Sequence, residues 1–191
     1  MKRELTRIKN IRATLASEKR RFGCYDDSRG LRYEPTGLYI KIADFSGGLT
    51  YLRWFDKNFP DDIGRPDFLF EWTIILFKNG KLKDAEKKAF KTFCSNTYLF
   101  DIYFSRPIQR IDKFEHSNWE TIEFADYCKY LSELPDLQGF SEWLDNYLQT
   151  ESFKLLSSKF IDINKRLQTE KDQETRTYLF KHLRQLVDEY G

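Results

Sequence analysis

Residues 153–167 set Phe153, Leu156, Phe160, Ile163 and Leu167 at spacings of 3, 4, 3 and 4. That is the seam of an α-helix packing on another helix. Similar spacings recur along almost the whole chain, and no convincing run of strict apolar–polar alternation interrupts them, so the sequence predicts an all-α fold. With 191 residues, one domain is the default, large enough to bury about 70% of its unfolded surface. A composition that is 40% hydrophobic and 17% aromatic is that of a folded chain whose core is dominated by aromatic packing.

Leu5, Ile8, Ile11 and Leu15 mark a first helix over about residues 2–18, followed by a loop containing Gly23, Asp26, Asp27, Ser28 and Gly30. The stretch LRYEPTGLYIKIADFSGG is compatible with a short strand, and a helix over 35–43 is the preferred reading. Ser46 can cap a helix striped by Leu49, Leu52, Phe55 and Phe59, with Trp54 at its flank, which Pro60 stops. Pro66 suits the first position of the next, through Leu69, Trp72, Thr73, Leu76 and Phe77, ended by Asn79-Gly80. Leu82, Ala85, Ala89 and Phe93 carry another to about Ser95. Beyond Pro107 the pattern predicts helices over 118–133, 141–149, 152–168 and 173–190. In the last, Leu179, Leu183, Leu186 and Tyr190 answer the seam of its predecessor.

Aligning residues 39–60 with 76–97 sets Ala43 on Gly80, Phe45 on Leu82, Gly48 on Ala85, Leu52 on Ala89 and Pro60 on Thr97, an offset of 37 residues. Over 66–96 the pattern Leu69, Trp72, Thr73, Leu76, Gly80, Leu82, Ala85 and Ala89 resembles the tetratricopeptide repeat (TPR) family. The upstream unit departs from that pattern, with Pro35 and Gly37 inside its first helix and bulky Arg53-Trp54-Phe55, and the better unit has Thr97 where the closing Pro belongs. SNTYLFDIYF resembles an abbreviated third unit. The P-D-D-x-G-x-P corner at 60–66 is similar to corners in bacterial proteins with TPR-like helices. The resemblance implies an α-α superhelix of antiparallel hairpins over 31–106, extended by a helical part over 107–191 that ends in a C-terminal hairpin.

Charge and cysteine content exclude several classes. Thirty-two basic and thirty acidic residues leave +2, too little alone to argue a nucleic-acid or membrane partner. Yet residues 1–22 hold eight basic and two acidic residues, a net of +6 against −4 elsewhere. Cys24, Cys94 and Cys128 are widely spaced, without a C-x-x-C pair, so neither a disulfide framework nor a zinc site is indicated. No window approaches 18 consecutive apolar residues and no signal-peptide pattern is present, so the expected location is cytoplasmic, without a membrane partner.

Candidate chemistry is sparse. Asp61, Asp62 and Asp67 do not have the alternating register of a calcium loop, and Glu71 falls one residue short of its closing position. Asp112, His116 and Glu120 stand four apart, but Ser117-Asn118-Trp119-Glu120 reads as a capping box that leaves His116 outside the helix holding Glu120. His182 sits between Lys181 and Arg184 without a Cys or Ser partner. Phosphate-loop, dinucleotide, zinc-protease and nucleophile-elbow motifs are missing. The expectation is a non-enzymatic protein-interaction scaffold without metal or cofactor. By the TPR resemblance, the ligand groove would be lined by Asp67, Phe70, Ile74, Phe77 and Lys78. Its apolar character suits a hydrophobic peptide or helix, or else the C-terminal hairpin fills it. The alternative is nucleic-acid binding by residues 2–21, with Lys19, Arg20 and Arg21 contacting phosphate beside Phe22 and Tyr25.

Overall fold

The computed structural model describes residues 1–25, 29–134, 137 and 139–191. Among them are α-helices and short 3-10 turns and no strand, as the periodicity predicts. The helices are α1 (Lys2–Phe22), α2 (Glu34–Lys41), α3 (Phe45–Asn58), α4 (Pro66–Lys78), α5 (Leu82–Ser95), α6 (Leu99–Tyr103), α7 (Ile122–Tyr127), α8 (Phe140–Leu148), α9 (Glu151–Thr169) and α10 (Gln173–Tyr190).

α2 and α3 form one antiparallel pair and α4 and α5 another, and α4 also packs on both α2 and α3. α1 docks on α2 by Ile8, Ile11 and Leu15, while Leu5 of the expected stripe stays exposed. It runs four residues beyond its predicted end because Lys19, Arg20 and Arg21 are good helix formers whose charge suits a helix C-terminus. The cap of α3 is Asp44 and not Ser46: its Oδ1 accepts the Gly47 N–H at 2.8 Å. Pro66 opens α4 as expected.

The helix expected over 118–133 is broken into a 3-10 turn (Asn118–Glu120), α7 and a second 3-10 turn (Cys128–Glu133). The buried Asn96 amide donates to the Trp119 and Thr121 carbonyls at 2.7 and 2.9 Å, diverting them from a helical ladder. Thr121 is extended and caps a fresh start by accepting the Phe124 N–H. In α9 all five predicted seam residues are buried. Leu179, Leu183 and Leu186 meet them, whereas Tyr190 is exposed. The α9–α10 hairpin lies against α5, and α8 lies against α4. One apolar cluster therefore runs continuously from Tyr33 to Leu186.

Candidate functional site

The face of α4 expected to form a groove is filled. Phe70 and Ile74 are completely buried and Asp67 nearly so. Phe70 meets Tyr103 at 4.8 Å and Phe140 at 5.7 Å between ring centroids. Phe77 packs between Phe140 and Trp143 at 5.5 and 5.0 Å, and the Lys78 ammonium sits over the Phe45 ring. The occupants come from α6 and α8, not from the C-terminal hairpin. Asp67 is held by Arg65, whose Nε donates at 2.9 Å, and by the Tyr130 hydroxyl at 3.1 Å. Asp67, Phe70 and Ile74 offer no surface to a ligand, and Phe77 and Lys78 are only partly exposed.

Next to Asp67 lies an acid that the sequence reading treated only as a failed calcium ligand. Glu71 is buried on α4, and burial pushes its carboxyl up to about 8. Thr36 Oγ is its partner and also donates to the Tyr33 carbonyl at 2.9 Å. The single Thr36 hydroxyl proton serves these two acceptors, and its bond to Glu71 opposes the burial that raises the carboxyl. A Cβ on Gly37 would stand 2.6 Å from Glu71 Oε1, so glycine makes room for the acid. The available signal was an acid inside PDFLFEWTIILF, a helix with every residue from Pro66 to Leu76 buried.

The acidic corner ties the fold together. Asp62 accepts from Arg32 Nε at 2.6 Å, the Tyr33 hydroxyl at 2.7 Å and the Gly64 N–H at 2.8 Å. Gly64 has φ +77, and a Cβ there would meet Leu69 at 2.7 Å, so both backbone and space require glycine. Asp61 is exposed, and among the described residues no group of three or more His, Cys, Asp or Glu could hold a metal ion.

On the outer side of this corner a cleft of about 650 Å³ remains open between α5, residues 116–120 and α10. Its walls include Ile63, Leu69, Cys94, Trp119, Phe160, Phe180 and Leu183. Lys91, Lys181 and Arg184 carry positive charge at its lining, with Asp188 and Glu120 as its acids. That volume lies within the usual range of ligand pockets, roughly 300–1,000 Å³.

His116 reaches this cleft from the expected irregular stretch. The Asn164 amide NH2 donates to the Phe160 carbonyl, so Asn164 Oδ1 faces His116 and accepts from Nε2–H at 2.9 Å. The imidazole packs edge-on against Phe114 and Phe180. Ser117 caps the 3-10 turn, and Glu120 reaches back to the His116 backbone. Burial raises the Glu120 carboxyl, opposed by His116 and by Lys113 at 3.8 Å. Burial lowers the Lys113 ammonium. Asp112 stands apart and accepts from Gln168 at 3.3 Å, so the three residues form no column. Burial holds the Cys94 thiol far above its usual range, in its un-ionised, weakly nucleophilic form. What the cleft offers is apolar contact and a positive lip.

Lys19, Arg20 and Arg21 occupy the exposed last turn of α1. Lys19 lies over the Tyr25 ring at 5.2 Å and Arg21 over Phe22 at 5.0 Å. Among the described residues, no helix is long and apolar enough to cross a membrane. Comparison with family models, curated proteins and solved structures finds no match.

Proposed function

We propose that this chain is a non-enzymatic protein-interaction module built on TPR-like helical hairpins, working in the cytoplasm of a bacterium, and that its partner docks in the cleft beside the 60–66 corner. The successive α2–α3 and α4–α5 pairs, closely approached at Gly37, support the repeat reading. The free thiols of Cys94 and Cys128, buried and widely separated in sequence, suit a reducing compartment. One observation carries the docking reading. Ile63 is 71% and Phe180 37% exposed, and both face the same concave surface, in a chain that buries most of its large apolar side chains. Convergent exposed apolar groups in a concavity mark a contact surface more strongly than scattered ones.

Affinity co-purification with mass spectrometry tests this proposal. Ile63→Asp and Phe180→Asp should each lose a partner that the parent chain retains. Leu155→Asp, at a 57% exposed apolar position on α9 outside the cleft, should keep it. A partner lost equally with all three, or with none, ends the cleft assignment.

A further inference from the structure

α1 presents a second surface, separate from the cleft. Its apolar residues Ile8, Ile11 and Leu15 are spent against the body of the protein, and every cation it carries is exposed. The acids that could neutralise them are few and engaged. Glu18 is buried and paired with the exposed Arg29, Glu4 is taken by the Met1 amino group, and Arg7 meets Glu34 at 2.6 Å. Lys2, Arg3, Lys9, Arg12, Lys19, Arg20 and Arg21 have no acid within ion-pair distance among the described residues.

At roughly 3.6 residues per turn, Lys2, Lys9 and Arg20 fall on the middle of the outer face. Arg3 and Arg21 fall on one flank, Arg12 and Lys19 on the other. Small exposed Ala13 and Ala16 lie between Lys9 and Arg20. The result is a rod about 31 Å long at about 1.5 Å per residue, with positive charge on its crest and both sides.

We infer that α1 binds the phosphate backbone of double-stranded DNA, lying along the major groove with its flanking cations reaching the two groove walls. A helix about 10–12 Å across matches a B-form major groove about 12 Å wide. The A-form groove of duplex RNA is too narrow to admit it. An anionic membrane fits less well, because a surface helix needs a free apolar face to insert and this one has buried its own. Phosphates carry no sequence information, so binding is independent of sequence. The negative charge on the rest of the chain orients the encounter toward α1.

Fluorescence anisotropy with a labelled 24-base-pair duplex of mixed sequence tests the inference. Affinity should fall about a hundredfold between 50 and 200 mM NaCl, the loss for about four phosphate contacts. Lys19→Gln/Arg20→Gln/Arg21→Gln should weaken binding at least tenfold and lower the salt slope by about 2. Lys2→Gln/Arg3→Gln/Lys9→Gln should act in the same direction, and circular dichroism establishes that both variants fold. The inference is overturned by no binding at 50 mM NaCl, by binding insensitive to salt, or by two folded variants that bind like the parent. Retention on phosphatidylserine vesicles without binding to the duplex overturns it as well, in favour of a membrane surface.

Discussion

The molecule has two apolar concavities along α4, with opposite fates. The face carrying Phe70, Ile74 and Phe77 is closed by α6 and α8. The cleft beside Leu69 and the 60–66 corner stays open, although α10 lines it. Hydrophobicity alone would select the first as the docking site and overlook the second. The difference is set by residues roughly 45–120 positions later in the chain: Phe140 and Trp143 supply rings that fill the first face, while the 116–120 turn and α10 hold the second apart.

Breaking the filled face should have the largest effect. Phe140→Ala removes a completely buried ring that meets Phe70, Phe77 and Trp143, at a cost of about 3–5 kcal/mol, measured by urea unfolding. An equal loss from Phe180→Ala at the open cleft would erase the contrast.

The Glu71 proton gives the next effect. Its folded value of about 8 lies above the ordinary 4.5. Below about 4.5 both folded and unfolded states hold the proton; between the two values the unfolded chain releases it and the folded chain keeps it. Stability therefore falls as pH rises through that window, and above about 8 the loss is complete, on the order of several kcal/mol. Glu71→Gln should remove this slope and be the more stable protein at pH 9. A slope unchanged in the variant would place the titrating group elsewhere.

Smaller still, Asp62→Asn removes the charge that accepts from Arg32 at the corner beside the open cleft. It should cost about 2 kcal/mol by the same unfolding measurement. Ile63→Asp, on the open cleft, should change stability by less than about 0.5 kcal/mol while abolishing partner capture.

The helices themselves were legible, since periodicity, Pro66 and the corner's glycine are local signals. Breaks set by distant partners were not. The 118–133 stretch has helical spacing, but the Asn96 side chain, more than twenty residues away, takes its carbonyls. Asp67 and Phe70 had the right spacing for a groove face, yet nothing within α4 announces that Tyr130 and Phe140 will cover them. Glu71 was visible as a lone acid in an apolar helix. Its raised carboxyl was not, because that depends on the burial completed by helices packed against α4 and on the space left by Gly37. The cleft needed five separate segments to converge, and periodicity within each says nothing of the gap between them.

The closure of α4 by α8 also has a consequence in time. Phe140 follows Phe77 by about 60 residues, and at roughly 5–20 residues per second a ribosome takes about 3–12 s to make the distance. Through that interval Phe70 and Phe77 have no rings from α8 to cover them, and a nascent chain paused there presents an apolar strip to its surroundings. A fragment stopped at residue 106 would hold that state permanently. Expressed without the second half, the first should therefore leave solution, which its partition between supernatant and pellet would measure.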